Sequence, residues 1–289
     1  MMAESFYRGF AQADLEREYN PAASIANVGE LHARRRARAA AAQANLSRAL
    51  DVPYGRSGGQ TLDIFFAGRG DAPIQIFFHG GSWKGQDKAN YSFIAEPLGA
   101  QGIISVNVNY DLCPNVTLDQ LIDQCRRAIA WVWANARIMG GDPNRISVCG
   151  HSAGAHIACR MLETDWSQYG RTPDDVVKGA MLVSGLYDLE PIRLTATNAD
   201  LRLTLEDVVR ESPMNRPLRR RAPVFITCGA DDNSEFRRQS KDFAAALAGR
   251  SYGAQYEEVP GHNHFSILEA LADPDHMLGR KMVAIALGA

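Results

Sequence analysis

The chain has 289 residues, enough for one large α/β domain or two small domains with a substantial core. Hydrophobic residues make up 46% and charged residues 22%, the ordinary proportions of a soluble globular protein. The net charge is −2, so no overall field favours nucleic acid or an anionic membrane surface. We therefore expect a small-molecule partner, with no nucleic acid and no membrane.

The cysteines are odd in number and lack the C-x-x-C spacing of zinc and redox sites. Most lie in apolar patterns, where a free thiol packs as a small hydrophobe, and this usage favours a reducing compartment. The first residues lack the apolar core of a secretory signal, and no run approaches the roughly 18 apolar residues of a membrane span. A cytoplasmic protein is expected. The five cysteines are Cys113, Cys125, Cys149, Cys159 and Cys228.

Residues 1–50 are predicted to be helical, and from about residue 60 strand-like runs alternate with helical patterns. The helix after the third strand opens with Thr117 and Gln120, spaced as in a capping box. Predicted strands cover 61–67, 73–79, 103–110, 145–150, 178–185, 222–229 and 254–259, and predicted helices cover 117–134 and begin at Ala153 and near Glu235.

This alternation predicts an α/β fold of one domain over residues 1–289, with a mostly parallel sheet and helices on both faces. In such sheets ligands bind at the carboxyl ends of the strands. The long segment at about 186–220 separates two predicted strands and contains helical, Leu/Thr-rich sequence. We interpret it as a small helical cap inserted between them.

Ser152 lies in the motif Gly-x-Ser-x-Gly, directly between a predicted strand and a predicted helix. That context is the one a nucleophile elbow requires, because the serine then projects from a strained turn at the sheet edge. A simple glycine turn with an incidental serine is the alternative for the motif alone. An oxyanion site, an acid and a base elsewhere in the chain decide between the two.

Two glycines follow His79 at the end of the second predicted strand. Their small size leaves backbone N–H groups free to hold a developing oxyanion together with the N–H after the nucleophile. The sequence thus predicts an oxyanion hole formed by Gly80, Gly81 and Ala153. His79 itself is expected to brace this loop by hydrogen bonds.

An acid and a base follow at the appropriate places in the chain. Asp231 and Asp232 come directly after a strand; Asp232 is preferred and Asp231 remains open, since adjacent residues cannot both aim at one imidazole. His264 opens an apolar helical pattern and is preferred to His262 as the base. The order Ser152, Asp232, His264 is that of the α/β-hydrolase fold, which we therefore predict with this catalytic triad.

A zinc hydrolase is the obvious rival, because His262, His264, Asp231 and Asp232 are all metal-ligand types. Two histidines at i and i+2 can face one metal on a strand, but this stretch is predicted as a loop entering a helix. We therefore expect neither a metal nor a cofactor.

With the triad placed, the chain resembles the arylformamidases (kynurenine formamidases) of the α/β-hydrolase superfamily, within the hormone-sensitive-lipase-like esterase group. HGG and GHSAG occur in many esterases, whereas SGLYDLEPI and LTLED…SP are far more specific. The matching stretches run in order along nearly the whole chain: LEREYNP (15–21), VPYG (52–55), HGGSW (79–83), TLDQLIDQ (117–124), CGHSAGAH (149–156), VSGLYDLEPI (183–192), LRLTLEDVVRESP (201–213), EFRRQS (235–240) and HFSILE (264–269).

The resemblance implies that Asp232 holds the acid position and His264 the base position. Members of this family hydrolyse N-formyl-kynurenine to kynurenine and formate without a metal, in tryptophan breakdown, and are often dimeric, so a homodimer is an expectation. Two places depart from the family pattern. Ser82 stands where an aromatic residue is usual, and Asn233 and Ser234 replace Ser-Pro after the acid.

The expected reaction is acyl transfer to water through an acyl-enzyme. Ser82, Trp83 and Tyr187 are candidate substrate-binding residues, because an aryl leaving group needs an apolar and aromatic pocket. One alternative is a carboxylesterase or amidase that acts on other small acyl esters, anilides or carbamates. The other is a catalytically silent hydrolase fold that binds a ligand, although such folds usually lack the nucleophile or the base.

Overall fold

Eight strands form one sheet in the computed structural model, which describes residues 6–288. They are β1 (Arg48–Pro53), β2 (Thr61–Phe65), β3 (Ala72–Phe78), β4 (Ile104–Val108), β5 (Gly141–His151), β6 (Val177–Val183), β7 (Val224–Gly229) and β8 (Ala254–Val259). Their order across the sheet is β1-β2-β4-β3-β5-β6-β7-β8. β2 pairs antiparallel with both β1 and β4, and all other neighbours are parallel.

Helices cover both faces of this sheet. α5, α6 and α10 pack with the side chains of one strand face, and α4, α11 and α12 pack with those of the other. None of the helices in residues 6–288 is long and apolar enough to cross a membrane. The helices are α1 (Gln12–Glu18), α2 (Pro21–Ser24), α3 (Val28–Asn45), α4 (Ala95–Ala100), α5 (Leu118–Asn135), α6 (Ala153–Leu162), α7 (Glu190–Arg193), α8 (Asn198–Leu201), α9 (Leu205–Glu211), α10 (Ser234–Gly249), α11 (Ile267–Leu271) and α12 (Met277–Leu287).

The sequence prediction and the structure agree on the main elements. All seven predicted strands are present as β2–β8, with β5 beginning earlier than expected at Gly141. The capping box of α5 is confirmed: the Thr117 side chain accepts from the Gln120 N–H, and the Gln120 side chain accepts from the Thr117 N–H. The fold is therefore the α/β-hydrolase fold expected from the order of the motifs.

Strand β1 is absent from the prediction, which extended the N-terminal helical segment to residue 50. Helix α3 ends at Asn45, and β1 begins at Arg48. The strand lies at the sheet edge with most side chains exposed, and its pairing with β2 shifts register between Ala49 and Val52. It therefore lacks the regular alternation of apolar and polar residues that identifies a strand in sequence.

The parallel strands place the candidate residues at one edge of the sheet. β3, β5, β7 and β8 end on the same side because they run in the same direction. The segments that follow them carry Gly80, Ser152, Asp232 and His264, in that order. The segment predicted as a cap, 186–220, holds α7, α8 and α9 between β6 and β7.

Candidate active site

Ser152 connects β5 to α6 in a strained backbone conformation. Its φ is 57° and its ψ is −123°, a combination that costs a non-glycine residue about 1–3 kcal/mol. Its N–H donates to the Val183 carbonyl at 2.8 Å, which fixes the turn to the end of β6. The strain is thus maintained by the surrounding sheet and places the serine at the start of a helix.

The two motif glycines are required by close backbone contacts. A Cβ on Gly150 would lie 2.0 Å from the Gly154 carbonyl oxygen, and a Cβ on Gly154 would lie 2.0 Å from the Phe78 carbonyl oxygen. Any side chain at either position would force β3, β5 and α6 apart. The Gly-x-Ser-x-Gly pattern is therefore the sequence signature of the tight packing that holds Ser152.

Asp232 and His264 are in direct contact. His264 Nδ1 lies 3.1 Å from each carboxylate oxygen of Asp232, and both side chains are almost fully buried. Asp231 is exposed, and its N–H donates to the His262 carbonyl. Of the two candidate acids, the structure brings only Asp232 to the imidazole. Because Nδ1 is engaged, Nε2 is the ring nitrogen that can exchange a proton in the cavity.

His151, the residue before the serine, has a positioning contact that sequence reasoning missed. Burial lowers the pKa of His151 well below its ordinary value, so its ring is neutral. His151 Nε2 donates to the His264 carbonyl at 2.7 Å. The elbow is thereby joined to the loop that carries His264. Only a contact between residues far apart in the chain could have revealed this role.

The loop after β3 turns through three successive left-handed residues: φ is 113° at Gly81, 52° at Ser82 and 58° at Trp83. Gly80 packs behind it, where a Cβ would lie 3.1 Å from the Ser152 Cβ. Within residues 6–288, no group accepts a hydrogen bond from the N–H of Gly81, Ser82 or Ala153. These N–H groups are available next to the elbow, as an oxyanion hole requires.

His79 braces this loop, as predicted from its position. Its ring contacts the Gly80 carbonyl at 2.7 Å and the Asn109 side-chain oxygen at 3.1 Å. It also stacks on Tyr110, whose hydroxyl donates to the His79 carbonyl at 2.6 Å. The histidine is fully enclosed by these contacts and faces no ligand-accessible space.

Ser152 and His264 line one cavity of about 200 Å³. Two of the predicted substrate-binding residues, Ser82 and Trp83, also line it. Tyr187 does not; it lies in the core, stacked on Phe243 with ring centroids 4.3 Å apart. The ring packs over Gly185, where a Cβ would lie 2.3 Å from its hydroxyl, so the chain turns it inward after β6.

Most of the cavity wall comes from residues that sequence reasoning did not identify. They belong to the N-terminal helices, the segment after the oxyanion loop, the end of β5, the cap, α10 and the segment around His264. They are Tyr19, Asn20, Pro21, Ala22, His32, Arg35, Gln86, Tyr91, His151, Leu186, Ile192, Thr197, Phe236 and Phe265. Gly81 of the predicted oxyanion loop also lines the cavity. We call Gly81, Ser152, Asp232 and His264 the strand-end side, and Tyr19–Ala22, His32 and Arg35 the N-terminal side.

The N-terminal side is anchored beside the acid by the residues that depart from the family pattern. The Asn233 amide donates to the carbonyls of Arg17 and Glu18, both at 2.9 Å. The Ser234 hydroxyl and the Glu235 N–H donate to the Glu18 carboxylate, also at 2.9 Å. The carboxylate thus caps α10, where a negative charge is favourable. Asn233 and Ser234 therefore hold the cavity wall.

The cap is attached to α6 by buried polar contacts. Trp83 Nε1 donates to His156 Nδ1 at 3.3 Å, and His156 Nε2 donates to the Glu211 carbonyl at 2.8 Å. Burial lowers the pKa of His156 to about 3, so the ring is neutral. Arg160, also on α6, forms buried ion pairs with Glu163 and with Glu211 of the cap. The cap is therefore fixed to the helix that follows Ser152.

The residues considered for a zinc site do not come together around one point. The ring of His262 packs edge-on against that of His276, with ring centroids 5.3 Å apart. In the described part of the chain, no group of three His, Cys, Asp or Glu side chains could hold a metal ion. The five cysteines are buried free thiols.

Comparison with known proteins extends these observations beyond the motif. A family model described as alpha/beta hydrolase fold matches residues 75–268. A kynurenine formamidase of Danio rerio is 36% identical over 81% of this chain and 80% of its own. One from Salmo salar is 38% identical over 79% of each chain. A solved candidate thioesterase of Silicibacter sp. TM1040 has 26% identity and a TM-score of 0.83 over 95% of this chain and 99% of its own.

Proposed function

Because the chain belongs to the kynurenine formamidase family of α/β-hydrolases, we propose that it hydrolyses an N-formyl aryl amide, N-formyl-kynurenine, to kynurenine and formate. The observation that carries the proposal is the 3.1 Å contact of Asp232 with His264, beside Ser152 in one cavity. The relatives named kynurenine formamidase support the choice of substrate.

Ser152 is the nucleophile of the proposed reaction, and His264 is its general base. In the neutral imidazole whose Nδ1–H donates to Asp232, Nε2 is the basic nitrogen, and it takes the hydroxyl proton as Oγ attacks the formyl carbon. The Asp232 carboxylate fixes this tautomer and stabilises the imidazolium that forms. The carbonyl π-electrons move to oxygen and give a tetrahedral oxyanion.

The oxyanion is held by backbone N–H groups. The N–H groups of Gly81, Ser82 and Ala153 have no acceptor in the described residues. Gly80 packs behind them against Ser152. Each such donor in an acyl-transfer enzyme contributes about 2.7–4 kcal/mol in the transition state. The strained turn at Gly81–Trp83 orients them before substrate arrives, so little reorganisation is needed.

Collapse of the tetrahedral species breaks the C–N bond. The imidazolium of His264 gives its proton to the amide nitrogen, and the arylamine leaves, with the formyl group bound to Ser152 Oγ as an ester. Water then attacks this ester as His264 takes one of its protons, and His264 passes that proton to Ser152 Oγ as the C–O bond to the serine breaks. The formic acid released ionises to formate and a proton. The products are one arylamine and one formate for each water consumed.

The cavity supports a small acyl group. Its volume of about 200 Å³ lies below the roughly 300–1,000 Å³ of pockets that hold drug-sized ligands. The apolar side chains of Leu186, Ile192 and Phe236 offer contacts for an aryl ring. A formyl group needs little space beside Ser152, which leaves most of the cavity for the aryl leaving group.

A second function has one observation in its favour. Ser82 lines the cavity where family members usually carry an aromatic residue, and its small side chain occupies less of the space near the oxyanion loop than an aromatic ring would. A carboxylesterase or amidase acting on other small acyl esters, anilides or carbamates would use that space. It would keep the same triad and differ only in the acyl group it accepts.

The test compares kcat/KM for N-formyl-kynurenine with that for p-nitrophenyl butyrate. The formamidase proposal predicts at least a hundredfold preference for the formyl amide. Equal turnover of both substrates would discard the formamidase assignment in favour of the esterase. Labelling with a fluorophosphonate identifies the nucleophile independently of the substrate, and we expect a single adduct on Ser152. A protein that is not labelled and hydrolyses neither substrate would indicate a ligand-binding hydrolase fold.

A further inference from the structure

Arg35 is a buried cation in the wall of the catalytic cavity. Its residue is only 7% exposed, and it lines the same cavity as Ser152 and His264. Its Nε and Nη1 atoms have no hydrogen-bond partner within residues 6–288. Burying a charged group without a partner is costly, so such a residue requires either a structural or a ligand-binding explanation.

The protein environment compensates for this charge only in part. The guanidinium carbon lies 5.9 Å from the Tyr91 ring centre and 5.4 Å from that of Phe265. Burial lowers the pKa of Arg35, and the Tyr91 side chain, which also hydrogen-bonds to the guanidinium, partly opposes that effect. No carboxylate among the described residues forms an ion pair with it. Glu269, the nearest acidic influence on Arg35, is paired with Arg34 at 3.1 Å. The guanidinium therefore keeps N–H donors for another group.

Arg35 lies close to the segments that carry His264 and Ser152. Phe265, which stacks with it, directly follows His264, and the charge of Arg35 also contributes to lowering the pKa of His151 beside Ser152. His32 lies one helical turn before Arg35, also lines the cavity, and has a buried Nε2 without a partner in residues 6–288. Helix α3 thus presents two unsatisfied polar side chains to the substrate space.

We propose that Arg35 binds a carboxylate on the leaving-group side of the substrate, so that the enzyme selects aryl formamides that carry an amino-acid group. The inference rests on the proposed formamidase function and names the substrate group that this site recognises. A guanidinium suits this task, because its planar N–H donors match the two oxygens of a carboxylate. The strand-end side would then hold the formyl group, and α3 the opposite end of the molecule.

The experiment compares two substrates that differ only in the amino-acid portion: N-formyl-kynurenine and N-formyl-2-aminoacetophenone. Arg35→Met keeps the apolar stem between Tyr91 and Phe265 and removes the charge. We expect its kcat/KM for N-formyl-kynurenine to fall about ten- to a hundredfold, mainly through KM, as for a lost hydrogen bond to a charged group. The rate on the acetophenone substrate should stay within about twofold, and Arg35→Lys should restore part of the loss.

Arg36→Met is the matched control, because Arg36 is the exposed neighbour on the same helix. It should leave the preference between the two substrates unchanged. An equal loss on both substrates with Arg35→Met, or no loss on either, would overturn the proposal and leave Arg35 a structural residue.

A second pair of substrates separates this proposal from the formamidase assignment. If the wild type hydrolyses neither formamide, the proposed function fails. Arg35 is then tested with phenyl acetate and 3-acetoxyphenylacetate, which differ by one carboxymethyl group on the leaving group. Loss of the preference for the carboxylated ester in Arg35→Met would support carboxylate binding at Arg35. Equal rates on both esters in the wild type would contradict it.

Discussion

The two sides of the cavity are built in different ways. The strand-end side places Ser152, Asp232 and His264 on loops directly after parallel strands, with glycines where the backbones touch. The N-terminal side brings Tyr19 and Arg35 across from helices that precede the sheet, and polar contacts such as those of Glu18 hold it there. In the proposed reaction, the strand-end side carries the chemistry, and the N-terminal side completes the space in which the substrate is recognised.

This difference predicts two kinds of mutant. Changes on the strand-end side should abolish the reaction or the fold, because its geometry is fixed by the sheet. Changes on the N-terminal side should alter substrate affinity and leave the chemical step largely intact.

Asp232→Asn should greatly reduce activity. The variant keeps the size of the side chain but no longer favours the His264 tautomer with Nδ1–H, so we expect kcat to fall about 10⁴-fold, as in other triads. Asp231→Asn is the matched control and should retain wild-type kcat, because Asp231 is exposed and its side chain does not contact His264. Steady-state kinetics on N-formyl-kynurenine measure both; a large loss from Asp231→Asn alone would exchange the roles of the two residues.

Gly154→Ala should destabilise the fold. The new Cβ would lie 2.0 Å from the Phe78 carbonyl oxygen, so β3 and α6 must separate, at a cost we put above about 3 kcal/mol. Gly99→Ala lies in α4 with no atom near its Cβ, and should stabilise the protein by up to about 1 kcal/mol. Urea unfolding compares the two. Similar stability in both variants would show that the elbow has more room than the structure gives it.

Acid should weaken the attachment of the cap to α6 through His156. The pKa of His156 is about 3 in the folded protein against an ordinary value of 6.5, so between these values the unfolded chain binds more protons. This contribution is therefore fully present above about pH 6.5 and is lost as the pH falls towards 3, by about 1.4 kcal/mol per unit.

His156→Gln tests this contribution, because glutamine can accept from Trp83 and donate to the Glu211 carbonyl. The free energy of unfolding should fall less steeply between pH 6.5 and 4.5 in this variant than in the wild type. The same slope in both proteins would show that His156 is not a source of the pH dependence.

Glu18→Ala should have a smaller effect and act on affinity. It removes the acceptor for the Ser234 hydroxyl and the Glu235 N–H, so the N-terminal side loses part of its anchor. Loss of a helix cap costs about 1 kcal/mol, so we expect KM for N-formyl-kynurenine to rise roughly fivefold with kcat nearly unchanged. Asp14→Asn serves as the control, because Asp14 lies in the same helix and, within residues 6–288, forms an ion pair only with Arg17. A fall in kcat with constant KM would place Glu18 with the catalytic groups.

The strand-end side could be predicted from sequence because its constraints are local. Gly150 and Gly154 are required by contacts within two short segments, and the motif around Ser152 records them directly. The choice between Asp231 and Asp232 could not be made from the residues alone, since both follow β7; it depends on which side chain the loop turns toward His264.

The N-terminal side could not be predicted in the same way. Arg35 lies in a basic, Ala-rich stretch that favours a solvent-exposed helix face, and only the packing of α3 against Tyr91 and Phe265 buries it. For Tyr187 the prediction was wrong in the opposite direction: the residue was expected to line the substrate pocket, and it lies in the core against Phe243. Packing between distant parts of the chain determines where Arg35 and Tyr187 lie, and no sequence spacing predicts such packing.

The most direct test of the central claim is the rate of formate release from N-formyl-kynurenine by the wild type and by Ser152→Ala. We expect the wild type to hydrolyse this substrate and the variant to lose about 10⁶-fold in kcat, as serine hydrolases do without their nucleophile. Circular dichroism should show the same fold in both proteins. Formate release that persists in folded Ser152→Ala would contradict the assignment of Ser152 as the nucleophile.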